Sequence, residues 1–298
     1  MLTTVQDLGR RGFRHTGLPL GGAMDGLAMR LANLLVGNED NSAGLEMTLT
    51  GAELEFGDDA LVAVTGADMG ALQPGRPQVV KAGERLRFGP AQRGCRTYLA
   101  VAGGLAIEPV LGGRGTDLRS GLGGHQGRAI QAGDTLRAHD AKRKITGRWS
   151  VGRSLIPAHD DFSEVRVTVG AAAPEFSGDF NAVEFAISPK SDRMGIRLAG
   201  PALVRNTTRE VISAAVGPGT VQVPPDGAPI VLMADAQTIG GYPCLAHVIH
   251  HDLRLLAQAR PGDKVSFVTV PLAEAHRLWR KEERDLHLLQ EGLRHRFT

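Results

Sequence analysis

Short apolar runs, many alternating with polar residues, dominate the chain: ALVAVTGADM, ERLRFG, RTYLAVAG, SEVRVTVG, VEFAISP, GTVQVPP, PIVLMADA and DKVSFVTV. Each ends on or near glycine or proline. Runs of this length, rich in valine, threonine and aromatic residues and bounded by turn formers, predict β-strands in a barrel or sandwich. Helical periodicity is confined to three places, Leu27 to Val36, Cys244 to Ala259 and Leu272 to Leu293. In the last, Leu272, Trp279, Leu286 and Leu293 recur every seven residues with Leu289 beside them, the stripe of a helix that packs along one face.

The pattern also echoes itself. MDGLAMRLAN (24–33) is answered by SDRMGIRLAG (191–200), ALVAVTGADM (60–69) by PIVLMADAQT (229–238), and AGERLRF (82–88) by PGDKVSF (261–267), in the same order. Three matched segments in one order predict two similar β-rich domains, 1–145 and 160–298, joined through the polar, turn-rich stretch near 140–162. Two copies of one barrel bring equivalent loops around a shared cleft, a common place for a ligand.

Composition narrows the class. With 34 Lys plus Arg against 32 Asp plus Glu, a net charge of +2 gives no electrostatic footprint for nucleic acid. The basic cluster Lys142 to Lys144 with Arg148 reads as a solvated linker. Two cysteines, Cys95 and Cys244, are too few for a disulfide framework or a four-cysteine zinc site. The start, MLTTVQDLGRRG, has no apolar signal core, and no later segment approaches a membrane span, so a cytoplasmic protein with no membrane partner is expected.

Several motifs of familiar chemistry do not occur. There is no Gly-Lys pair and so no phosphate-binding Walker loop; SGLGGHQG (120–127) misses the dinucleotide fingerprint; GxSxG and HExxH do not occur. Within the helix expected at HVIHHD, His247 and His251 stand four residues apart with Asp252 nearby, a two-histidine spacing that lacks a third ligand, and no metal site is assigned. The Met-Lys-Met signature that carries biotin is missing, so biotin is not attached to this chain.

Candidate chemistry gathers at the end of one strand. In VLMADAQTIGGYP, a buried run is followed by Asp235, Gln237 and Thr238, then Gly240, Gly241 and Tyr242. A carboxylate there can orient a cation or act as a base, Gln237 and Thr238 can bind an amide or carboxylate, and the glycines permit positive φ with N–H groups facing an anion. The alternative is a turn in which Asp235 and Thr238 bond the backbone. SPKSDRMGIRLAG adds Ser191 and Arg193, a planar fork for carboxylate or phosphate, whose alternative is an ion pair with Asp192 or a helix cap from Ser191. Gln222 lies inside a strand, and the first half offers Arg30, Asp68 and Arg119 at matching places. Catalytic roles are expected for Asp235, Arg193 and Gln237, and substrate binding for the others.

Together, TTVQDLGRRGFRHTGLPLGGAMDGLAMRLANLLVGN, RGTDLRSGLGGHQGR, SDRMGIRLAGP, VGPGTVQVPPDGAPIVLMADAQTIGGYP and AQARPGDKVSF resemble the KipA family, the allophanate-hydrolase subunit 2-like proteins that include the PxpC component of bacterial 5-oxoprolinase. The resemblance implies a mainly β fold of tandem cyclophilin-like β-barrel domains with a few helices. It implies a KipI/PxpB-like partner subunit and, functionally, a PxpA-like subunit, with ATP consumed by the complex as 5-oxoproline, a small-molecule amide, is opened to glutamate. Two other activities stay open within the resemblance: a biotin-dependent urea or amide carboxyltransferase component, and a non-enzymatic regulator that binds a KipI-like kinase inhibitor. The family pattern carries a further strand before TTVQDLGR, so the first strand of domain one is expected to be shortened or absent.

Overall fold

A computed structural model of the chain describes residues 2–141, 149–152 and 160–296. The basic cluster at 142–148 and much of the expected linker lie outside them. Cα packing divides the chain into two compact units: 1–11, 21–159 and 284–298 form the first, 12–20 and 160–283 the second.

The first unit is built on an antiparallel sheet in the order β1-β2-β7-β4-β5, from β1 (Leu2–Gln6), β2 (Gly44–Thr48), β4 (Ala60–Gly66), β5 (Pro77–Val80) and β7 (Arg96–Val101). A two-stranded ribbon of β3 (Glu53–Glu55) and β6 (Arg85–Arg87) accompanies it. Side-chain alternation sorts the sheet's two faces. Val5, Leu45, Met47, Val62, Val64 and Leu99 pack with Leu86 and Phe88 on one face; Ala63, Tyr98 and Ala100 pack under helix α1 (Gly26–Leu35) on the other. Small residues beneath α1 let it approach closely, and Asp25 caps it, its Oδ1 accepting from the Ala28 N–H at 3.0 Å.

The family-like glycine motifs of this unit have a packing cause. Asp7 Oδ1 accepts from the N–H groups of Gly9 (2.9 Å) and Gly115 (3.1 Å), and Oδ2 from that of Arg114 (2.6 Å). A Cβ at Gly115 would lie 2.6 Å from the Gln6 amide oxygen and 3.0 Å from Asp7 Oδ1, so the segment can run this close to the two side chains only without one of its own.

The second unit closes into a barrel in the order β10-β13-β12-β15-β8-β16-β9. Its strands are β8 (Phe162–Val169), β9 (Phe185–Ile187), β10 (Gly195–Ala199), β12 (Thr220–Gln222), β13 (Ile230–Leu232), β15 (Cys244–Val248) and β16 (Lys264–Thr269). Only β8 and β16 run parallel. A separate ribbon joins β11 (Ala214–Ala215) to β14 (Ile239–Gly240). Phe180, Phe185 and Phe267 form an aromatic cluster, with Phe180 stacked on Phe267 at 4.6 Å.

The fold is mainly β with few helices, as the turn-bounded runs predicted, and every run named as a strand contributes one. Two local expectations are corrected. The helix expected over Cys244 to Ala259 is a strand, β15, through Val248, then a single 3-10 turn, and only afterwards α2 (Leu253–Gln258). Pairing with β12 on one side and β8 on the other overrides the local periodicity there. The echo of MDGLAMRLAN by SDRMGIRLAG is also not structural: Arg30-Leu31-Ala32 lies in α1, and Arg197-Leu198-Ala199 in β10.

Helix α3 (Leu272–Arg294) forms as expected, but its stripe divides. Leu286 and Leu293 pack on Leu31 and Leu34 in the first unit. Leu272 and Trp279 remain well exposed. No helix among the described residues is long and apolar enough to cross a membrane.

Candidate functional site

The strand end singled out in sequence lies in the second unit, where β12, β13, β14 and the start of β15 meet. After β13 the chain turns at Met233 to Ala236, held by bonds from the Met233 N–H to the Met194 carbonyl and from the Asp235 N–H to the Arg193 carbonyl, both 3.0 Å. This brings the segments carrying Arg193 and Asp235 side by side, 42 residues apart in sequence. Their side chains form a bidentate ion pair: Arg193 Nε to Asp235 Oδ2 at 2.7 Å and Nη2 to Oδ1 at 2.9 Å. Only 6% of the arginine and 12% of the aspartate side chain is exposed. The fork of the guanidinium matches the carboxylate in two parallel bonds, so the pair holds the strand end as a unit.

Asp192, the alternative partner for Arg193, instead accepts from the N–H groups of Met194 (2.8 Å) and Gly195 (3.1 Å) in the turn into β10. Ser191 serves the same turn, its Oγ accepting from the Arg197 N–H at 3.0 Å. Both are short polar side chains bonding a nearby backbone.

Gln222, buried in β12, donates from Nε2 to the Tyr242 carbonyl at 3.3 Å. Gly240 sits against that amide: a Cβ there would come within 2.5 Å of Gln222 Nε2. The conformation of the two glycines differs from expectation, since neither Gly240 nor Gly241 has a positive φ. Gly240 is required by the close approach of Gln222 rather than by a turn. Thr238 is buried, its carbonyl accepting from the Val216 N–H at 3.0 Å; Gln237 is half-buried, and Tyr242 exposed. Thus Arg193, Asp235, Gln222, Gln237, Thr238, Gly240, Gly241 and Tyr242 belong to one connected group of segments.

The candidates of the first unit have local partners. Arg30, on α1, pairs with Asp40 at 2.9 Å. Asp68 Oδ1 accepts from the Gly70 N–H at 2.8 Å, and the backbone N–H of the exposed Arg119 donates to Asp117 Oδ1 at 3.0 Å.

The two-histidine spacing does not survive the change from helix to strand. His247 lies on β15, whereas His251 sits in the following turn, its Nδ1 2.6 Å from Glu282 Oε2 and its Nε2 2.9 Å from Arg254 Nη2. Asp252, fully buried, is held by Arg166, whose Nε and backbone N–H each donate at 2.8 Å. That carboxylate raises the Arg166 pKa above its usual value. Among the described residues no three His, Cys, Asp or Glu side chains gather as a metal site.

Two polar features escaped the sequence reading. Arg14 of the second unit donates to the Val216 carbonyl, next to the segment that bonds Thr238. In the first unit, fully buried Tyr98 donates to Glu46 Oε2 at 2.9 Å and accepts from the Asp25 N–H at 2.8 Å. Burial first, and the Glu46 and Asp25 carboxylates next, push the Tyr98 phenol well above its ordinary value. A glutamate and a tyrosine at facing positions of adjacent strands were the available signal, but the pairing of β2 with β7 was needed to see it.

A mainly β chain with a closed barrel and a polar strand end fits a known class. A sequence model described as "Carboxyltransferase domain, subdomain A and B" matches residues 16–269, and the chain belongs to that family. It is 43% identical to the C subunit of 5-oxoprolinase from Escherichia coli (strain K12) over 95% of this chain and 93% of that protein. It is 40% identical to the protein of the same name from Haemophilus influenzae, over 94% and 92%. Among solved structures, the K. lactis urea amidolyase superposes with a TM-score of 0.89 at 27% identity, over 97% of this chain but 19% of that one.

Proposed function

We propose that this chain is the PxpC-type component of an ATP-dependent 5-oxoprolinase and works with a KipI/PxpB-like subunit and a PxpA-like subunit in the cytoplasm. The observation that carries this reading is the near full-length similarity, at 43% identity, to a protein named as a component of that enzyme. 5-Oxoproline is a five-membered lactam with a carboxylate. Its opening adds water across the C–N bond, so a site needs donors where charge develops on the carbonyl oxygen and an acceptor for the ring N–H.

The strand end of the second unit supplies groups of both kinds. The amide of Gln237 offers a donor and an acceptor, the Thr238 hydroxyl and the Gly241 N–H add donors, and the exposed Tyr242 hydroxyl suits the substrate carboxylate. Gln222 fixes Tyr242 through its carbonyl. Arg193 and Asp235, bonded to each other, are positioning residues in this reading.

ATP does not fit this group of residues: the guanidinium singled out for phosphate is bidentate to a carboxylate, and the pair presents no net positive charge to a triphosphate. ATP is therefore assigned at the level of the complex and is not placed at this strand end. The superposition on urea amidolyase supports a second reading, a component that transfers a carboxyl group to an amide from biotin held elsewhere.

The test is glutamate formation from 5-oxoproline and ATP by the reconstituted three-subunit system. Gln237→Ala and Asp235→Ala should each lower turnover by about 10²-fold, the scale of a misplaced catalytic geometry. Wild-type turnover in both would remove the site, and no turnover with the wild-type chain would remove the function.

A further inference from the structure

Cys244 and His247 lie three apart on β15, so regular alternation would place them on opposite faces. The strand is not regular there. Val221 pairs with Ala246, but Gln222 pairs with Cys244, so Leu245 is an extra residue in the ladder. Such a bulge re-aims the side chains on either side of it. Leu245 and Ala246 are consecutively buried, Cys244 is half-buried and His247 exposed. As a result Cys244 Sγ stands 3.3 Å from His247 Nε2.

We propose that Cys244 and His247 form a reactive thiol–imidazole pair whose thiol is oxidised to a sulfenic acid by hydrogen peroxide. Neither group is ionised at rest. Desolvation raises the Cys244 thiol above its ordinary value and, although His247 as a whole is exposed, lowers its imidazole from the ordinary value, so S–H and a neutral imidazole face each other at neutral pH. A thiol in that state is a poor nucleophile unless a base takes its proton.

His247 Nε2 is placed to do so. As the sulfur attacks one peroxide oxygen, the S–O bond forms and the O–O bond breaks. The thiol proton passes to Nε2 and is returned to the departing hydroxide, giving water. Sulfur loses two electrons, and the peroxide gains them. Backbone hydrogen bonds at Ala171 and Ala246 act on the thiol against the effect of burial, and Cys244 Sγ also lies 3.6 Å from the Ala246 carbonyl, a weaker acceptor for the thiol proton than Nε2 at 3.3 Å. Cys95, the other cysteine, is buried and serves as an internal control.

The position gives the modification a consequence. Cys244 faces Gln222 across the ladder and lies two residues after Tyr242, whose carbonyl Gln222 holds. An added oxygen there crowds the junction of β12 and β15. The chemistry itself rests on the pair's geometry and not on the substrate assigned to the neighbouring site.

The experiment treats the full chain with hydrogen peroxide, traps sulfenic acid with dimedone and reads each cysteine by peptide mass. Cys244 should be labelled at pH 7 at least about 10-fold faster than Cys95, and Cys244→Ser should abolish that label. His247→Gln can accept the thiol hydrogen bond but not hold the proton, and should slow labelling by about 10²-fold, within the range of general-base catalysis. Its remaining rate should climb only as the thiol ionises at alkaline pH. His247→Ala should be rescued by added imidazole. Failure of Cys244 to label at neutral pH, or a wild-type rate in His247→Gln, would overturn the proposal.

Discussion

Removing one partner of the Arg193–Asp235 pair tests whether that pair organises the strand end. Both bonds are short, 2.7 and 2.9 Å, and the two side chains are 6% and 12% exposed. An exposed ion pair contributes about 0.2–1 kcal/mol, whereas deleting one member of a buried pair costs about 3–5 kcal/mol because a charge is left without compensation. Burial places this pair at the second limit.

Asp235→Ala and Arg193→Ala should therefore each destabilise the full chain by about 3 kcal/mol or more in urea unfolding. The double variant should cost much less than their sum, with a coupling of about 2 kcal/mol or more. Replacing both by apolar residues, Arg193→Met with Asp235→Leu, should return stability to within about 2 kcal/mol of wild type while leaving glutamate formation low, because packing is restored but the fork that orients the strand end is not. Single costs below about 1 kcal/mol that simply add would refute the argument, since that is the behaviour of a solvated surface pair.

Gly240→Ala places a Cβ 2.5 Å from Gln222 Nε2 and should cost about 1–3 kcal/mol by overpacking; Gln222→Ala in the same chain should recover most of it, and additive losses in urea unfolding would contradict the contact. Tyr98→Phe leaves the Asp25 N–H and one Glu46 bond unmet at neutral pH, with an expected cost of about 1–3 kcal/mol. The same phenol carries an alkaline dependence. Its folded pKa lies above the ordinary 10.0, so above that pH the unfolded chain releases a proton that the folded chain keeps. Stability is constant with respect to Tyr98 below about pH 10 and falls as pH rises beyond it, and Tyr98→Phe should remove that fall. Ultraviolet titration should show Tyr98 ionising only as the unit unfolds; its ionisation near the ordinary value in the folded chain would contradict its burial.

Sequence alone determined the class of this fold. Runs such as RTYLAVAG and DKVSFVTV carry their own evidence, because β-branched and aromatic residues alternating between turn formers suit a pleated surface wherever it is placed. Helices α1 and α3 were equally legible, one from its apolar period, the other from its leucine stripe. Sequence also marked the polar ending of VLMADAQTIGGYP as more than a strand.

What that ending does was decided by the tertiary structure. Arg193 reads in sequence as a fork for a ligand anion or, as the alternative, a partner of the adjacent Asp192; an adjacent carboxylate is better used on nearby backbone N–H groups, and the partner is Asp235, beyond the far end of β13. Arg-Leu-Ala occurs once in a helix and once in a strand because three residues carry too little preference to resist their surroundings. CLAHVIHH had the spacing of a helix and became a strand because β12 and β8 offered it a ladder on each side. The bulge at Leu245 exists only in that pairing, and with it the meeting of Cys244 and His247. Local chemistry is written in neighbouring residues, whereas register, burial and charge pairing belong to segments that the chain brings together only when it folds.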